Sequence, residues 1–111
     1  MRLVIQKGLV FCTLMLAACP AVAKDLADEV ANVCTQQGAV PTNLTSAETP
    51  AYCKCEAAIW ARRGTETQMR YAMTFMTNDK SYMNGEVYNY DDALEFIVSH
   101  DGEVKAACLP Y

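Results

Sequence analysis

The chain has 111 residues, a formal net charge of −4 and six cysteines. That length accommodates one domain, and the acidic balance repels phosphate backbones, which sets nucleic acid aside as a partner. No apolar run reaches the roughly 20 residues that a membrane-spanning helix needs.

Arg2 and Lys7 bracket the start of the chain, and an apolar run of eleven residues follows from Gly8 to Ala18. A basic segment, a short apolar run and the small-x-small triad Ala21-Val22-Ala23 together predict a signal peptide over residues 1–23. The alternative is a lipoprotein signal over residues 1–18, because Leu16-Ala17-Ala18-Cys19 resembles a bacterial lipobox with Cys19 as the lipidated residue. Either reading exports the chain: to the periplasm or the medium in the first case, to a membrane-anchored lipoprotein in the second. Cleavage after Ala23 leaves 88 residues with seven basic and thirteen acidic side chains, a formal charge of −6.

Four cysteines then remain: Cys34, Cys53, Cys55 and Cys108. In an exported chain this size they read as a framework of two disulfides. A core this small supplies only about 3–5 kcal/mol net, so bridges contributing about 3–4 kcal/mol each are comparable with the whole stability.

Lys24 to Gln37 carries Leu26, Ala27, Val30, Val33 and Cys34 on one helical stripe. Gly38 suits the end of that helix, and Ala39 to Thr49 reads as a connector. Thr49-Pro50 opens a second helix that runs to Arg63 and stops at Gly64. Its apolar residues form two faces, Tyr52, Cys55 and Ile59 against Cys53, Ala57, Trp60 and Ala61, which predicts a central helix packed on both sides. Cys53 and Cys55 point about 200° apart on it. They therefore bridge outward, one to Cys34 and the other to Cys108, with the assignment open.

Thr65 to Asn78 forms a third helix behind a hydroxyl cap, with Met69, Ala72, Met73 and Met76 as its main stripe. Asp79 to Tyr90 contains the turn dipeptide Asn84-Gly85 and reads as a tyrosine-rich loop rather than a hairpin. Asp91 to Ser99 returns to helical spacing through Leu94, Ile97 and Val98. Gly102 is expected to break or kink this helix before a last turn over Glu103 to Cys108. The sum is an all-α protein, a small three-to-four-helix bundle over residues 24–111 stapled by two disulfides.

No catalytic residue, metal site or cofactor is assigned. The lone histidine, His100, sits beside Asp101 near a helix end and reads as a solvated residue rather than a catalytic base, and the cysteine spacing does not match paired zinc ligands. The function expected is that of a non-enzymatic protein-binding module of the bacterial envelope, of inhibitor, immunity or accessory type, with an unknown protein partner. Tyr82, Tyr88 and Tyr90 are the candidate partner-binding residues, since tyrosine supplies contact area at low entropic cost. The alternative is an envelope protein that binds Cu(I) through Met69, Met73 and Met76, or a thiol-redox protein using Cys53 and Cys55. Oligomeric state is not encoded in any of these patterns.

Overall fold

The computed structural model of the chain describes residues 20–110. The leader up to Cys19, with its lipidation reading, lies outside the described residues. Four helices run α1 Pro20–Gln37, α2 Thr49–Arg63, α3 Glu66–Thr77 and α4 Tyr90–Cys108, with a short 3-10 turn at Lys80–Met83 between the last two. The protein is all-α, and no strand occurs among the described residues.

The helices close a four-membered ring. α1 and α4 each pack on both α2 and α3, while α2 and α3 meet only briefly and α1 and α4 lie across from each other. The expected central role of α2 is thereby shared: each helix buries its apolar side against two neighbours. For α2 those neighbours are α1 and α4, and burial of Tyr52, Cys53, Ala57, Ile59 and Trp60 uses both of its apolar faces. Val30 and Cys34 of α1, Ala72 and Met73 of α3 and Ala93 of α4 are all fully buried. Trp60 and Phe96 bridge the core with ring centroids 5.8 Å apart.

Local chemistry accounts for the helix ends. Thr65 caps α3 with a reciprocal pair: its hydroxyl accepts from the Gln68 N–H at 3.1 Å, and Gln68 Oε1 accepts from the Thr65 N–H at 2.9 Å. At the entrance to α2 the same device falls earlier than expected. Thr45 and Glu48 exchange backbone-to-side-chain bonds, so the helix starts at Thr49 instead of using it as a cap. Asn78 ends α3 with a left-handed backbone, φ 58°, a conformation that asparagine tolerates. Asn89 Oδ1 accepts from the Asp92 N–H at the start of α4.

Three further expectations need correction. α1 begins at Pro20, four residues before the expected Lys24. α4 is continuous through Gly102, which occupies the solvent side with nothing within 4 Å of where a Cβ would stand. An exposed helical glycine costs only about 1 kcal/mol relative to alanine, and buried Phe96 and Val104 on either side outweigh that. Finally, the buried face of α4 is Ala93, Phe96 and Val104, with Ile97 half-buried; Leu94 and Val98 face outward.

The two disulfides are Cys34–Cys53 and Cys55–Cys108, each with its Cα atoms 5.6 Å apart. The first staples α1 to α2 and the second staples α2 to α4. The α2–α4 seam is closed further by Arg63, whose Nε and Nη2 donate to the two oxygens of Glu103 at 3.1 and 2.9 Å. That fork holds the Glu103 carboxyl below its ordinary range. Two bridges fit a non-cytoplasmic, oxidising compartment. Among the described residues no helix is long and apolar enough to cross a membrane.

Candidate functional site

The three tyrosines of the loop do not form one exposed patch. Tyr82 is half-buried against the core, and its carbonyl accepts from Arg70 Nη1 at 3.1 Å. Tyr88 is half-buried with its ring edge-on to Tyr71, centroids 5.9 Å apart; burial, and then the neighbouring Tyr90, push its hydroxyl pKa up. Only Tyr90 is open, 55% exposed, with its ring tilted over Phe75 at 5.6 Å. Tyr82 and Tyr88 thus pin the loop to the bundle, helped by Met83, which is fully buried beside them.

Tyr90 belongs to a different surface. Leu94 and Val98 follow it at i+4 and i+8 on the same face of α4, 37% and 62% exposed, and Val87 just before the helix is 85% exposed. Three large apolar side chains therefore stand in solvent along one line of α4, with Val87 exposed just before the helix and exposed acids at Glu86, Asp91, Asp92 and Glu95. Beneath it, Ala93 and Phe96 hold the helix to the core, and Cys108 ties its far end to α2. The line is thus displayed on a rigid support.

Farther along the same face of α4, Ile97, Asp101 and Lys105 form one wall of a cleft of about 380 Å³. Tyr52, Glu56 and Trp60 of α2 make the floor, Phe75 and Met76 of α3 another wall, and residues 38–41 the remaining side. Glu56 is the odd residue of this cleft. It sits among apolar side chains, with Oε1 3.5 Å from Cys34 Sγ. A disulfide sulfur has no proton to donate, so that contact does nothing for a carboxylate charge. Burial, with the Asp101 carboxylate as the second cause, pushes the Glu56 carboxyl from its ordinary 4.5 up to about 7. Asp101 has a partner, Lys105 Nζ at 3.1 Å, with both side chains 50% exposed at the rim. Among the described residues no basic side chain forms an ion pair with Glu56. The Trp60 indole N–H is also buried and without a hydrogen-bond partner among the described residues.

Sequence reasoning passed over Glu56, although a signal was there. Tyr52, Cys53, Ile59 and Trp60 stand at i−4, i−3, i+3 and i+4 from it, so a helical Glu56 must project from an apolar surface. The outward line on α4 was obscured because Leu94 and Val98 have the spacing of an ordinary core stripe.

Met69 and Met73 are buried in the core and Met76 is half-buried against it, so the methionine stripe serves packing. All four cysteine sulfurs of the described chain are engaged in the two bridges. His100 is tied down as well: Nδ1–H donates to the Phe96 carbonyl at 2.8 Å, and the two rings pack tilted with centroids 4.8 Å apart. Comparison with protein-family models, with curated proteins and with solved structures finds no significant match.

Proposed function

We propose that the protein is an exported, non-enzymatic binding module of the cell envelope, which docks a protein partner along the outer face of α4. The observation that carries this reading is the exposed apolar line Tyr90, Leu94 and Val98 on a helix fixed by a disulfide, with Val87 exposed just before it. Apolar side chains at i, i+4 and i+8 are the anchors by which a helix seats in a groove, and contiguous apolar surface of this kind marks interaction sites. The acids Glu86, Asp91, Asp92 and Glu95 beside it select a partner whose apolar groove has a basic rim. A second copy of the chain fits poorly, because a two-fold interface would set the same acids against each other. Export, by the signal peptide over residues 1–23 or by lipidation at Cys19, accords with a fold that depends on oxidised cysteines.

The test compares capture from envelope extract by the wild-type chain and by the double variant Leu94→Asp/Val98→Asp. The wild type is expected to retain a protein that the variant loses and that added salt weakens. Retention of the same protein by both chains, or capture unaffected by salt, would overturn the reading.

A further inference from the structure

We propose that the cleft between α2, α3, α4 and residues 38–41 binds an organic cation, an alkylammonium or a guanidinium, with Glu56 as its counter-charge. The proposal does not rest on the docking line, although the cleft adjoins it through Phe75, which supports Tyr90, and the observations that carry it are geometric. At about 380 Å³ the cleft has the size of a small-ligand pocket. Its walls are apolar and aromatic, with Tyr52, Trp60, Phe75 and Ile97 lining it, and the half-buried Glu56 carboxyl stands among them, apart from the Asp101–Lys105 pair at the rim.

That combination is selective. A cation with an alkyl stem replaces water against the apolar walls, meets aromatic side chains that attract positive charge, and supplies the ion pair Glu56 lacks. A hydrated divalent metal finds too few oxygens, since among the described residues no three metal-ligating side chains come together. An anion would meet two carboxyls, Glu56 and Asp101. Neutral apolar ligands fill the walls but leave Glu56 without a partner.

The charged surroundings are few. α4 contributes Asp101 and Lys105, which pair with each other at the rim, and α2 contributes Glu56 itself beside the Tyr52 phenol. From α3 and residues 38–41 no charged side chain lines the cleft. Without a ligand, the Glu56 carboxyl holds its proton up to about pH 7. A bound cation favours the carboxylate, so binding exchanges the Glu56 proton for the ligand, and affinity rises as pH rises.

The same chemistry is available from a free amine and from a lysine or arginine side chain of a partner protein, and a direct experiment separates them. The chain has one tryptophan, so the Trp60 indole resonance and fluorescence report on the cleft without ambiguity. The probes are n-butylammonium, butylguanidinium, neutral n-butanol, and lysine and arginine blocked at both backbone ends. Saturable shifts are expected with the cations and not with butanol, with affinity rising about tenfold or more between about pH 5.5 and about pH 8. Glu56→Gln is expected to reduce cation affinity about tenfold or more and to flatten the pH dependence; it removes a buried charge at constant volume, so the fold is retained. Tighter binding of the blocked amino acids than of the simple amines assigns the site to a partner's basic side chain, and the reverse order assigns it to a free amine. Equal binding of butanol, no saturable shift with any cation, or full affinity in Glu56→Gln would each overturn the proposal.

Discussion

Three residues show how little the type of a side chain says about its energetic role. Glu56 is the only carboxyl in the described chain forced into an apolar seam with a strongly raised pKa. Below pH 4.5 it is protonated in both the folded and the unfolded chain. Between 4.5 and about 7 the unfolded chain releases the proton and the folded chain keeps it, so stability falls with rising pH, and above that the loss is complete. Glu56→Gln is therefore expected to match the wild type near pH 4 and to exceed it by about 2–3 kcal/mol near pH 8. Urea midpoints at the two pH values check this; an equal difference at both would exclude titration of Glu56 as the cause. Gly64 and Gly102 make the complementary point, since the same substitution should have opposite signs. A Cβ on Gly64 would stand 2.6 Å from Cε1 and Cζ of the Phe96 ring. That ring is held between Trp60 and His100, so Gly64→Ala is expected to lose about 1–3 kcal/mol. Gly102 faces open space within a helix, and Gly102→Ala is expected to gain about 0.5–1 kcal/mol. Thermal melts of the two variants moving in the same direction would contradict this account.

At the scale of elements, the two disulfides divide the bundle unevenly. Cys34–Cys53 spans 19 residues of sequence and Cys55–Cys108 spans 53, and both converge on α2. A cross-link restricts the unfolded chain more when the closed loop is longer, about 3 kcal/mol for the first and about 4 for the second. Replacing Cys55 and Cys108 together by alanine should therefore destabilise the protein by about 1 kcal/mol more than replacing Cys34 and Cys53. Equilibrium denaturation of the two double variants measures the difference, and the reverse order would place the main effect in local packing. The α1–α3 and α3–α4 seams have no bridge among the described residues and rest on side-chain packing instead. On α3 this includes Arg70, which pairs with Glu66 at 3.0 Å and bonds the Tyr82 carbonyl, tying the tyrosine loop to the helix.

For the whole molecule, the ring of four helices decides which apolar residues are core and which are surface. Among the described residues α4 packs on two helices, α2 and α3, and these cover one side of it. Leu94 and Val98 lie on the other side, and Phe96 on the covered one. The aspartate pair Leu94→Asp/Val98→Asp should accordingly cost only about 1–2 kcal/mol of stability, from helix propensity and repulsion by neighbouring acids rather than from lost packing. Phe96→Ala, which empties the contact with Trp60, should cost about 3–5 kcal/mol. Chemical denaturation of both variants tests the assignment, and a large loss in the aspartate variant would return those residues to the core. The same ring creates the cleft, because the four elements that line it are separate in sequence and meet only in the closed bundle.

Much of this architecture was legible in the residues themselves. Helical spacing, the Thr65 cap and the stops at Gly38 and Gly64 are local, and local preferences agree with the final fold for α1, α2 and α3. The opposed directions of Cys53 and Cys55 follow from helix geometry alone and require two outward bridges. Which cysteine takes which partner depends on which side of α2 each neighbouring helix packs, and no local preference carries that information. The phase of α4 was likewise hidden: a period of 3.6 identifies a helix, but Leu94 and Val98 satisfy it as well as Ala93, Phe96 and Val104 do. Only contact with α2 and α3 separates a stripe that is covered from one that is not. Glu56 depended on the same closure, since a carboxyl acquires a raised pKa from the walls around it, and those walls come from parts of the chain far apart in sequence.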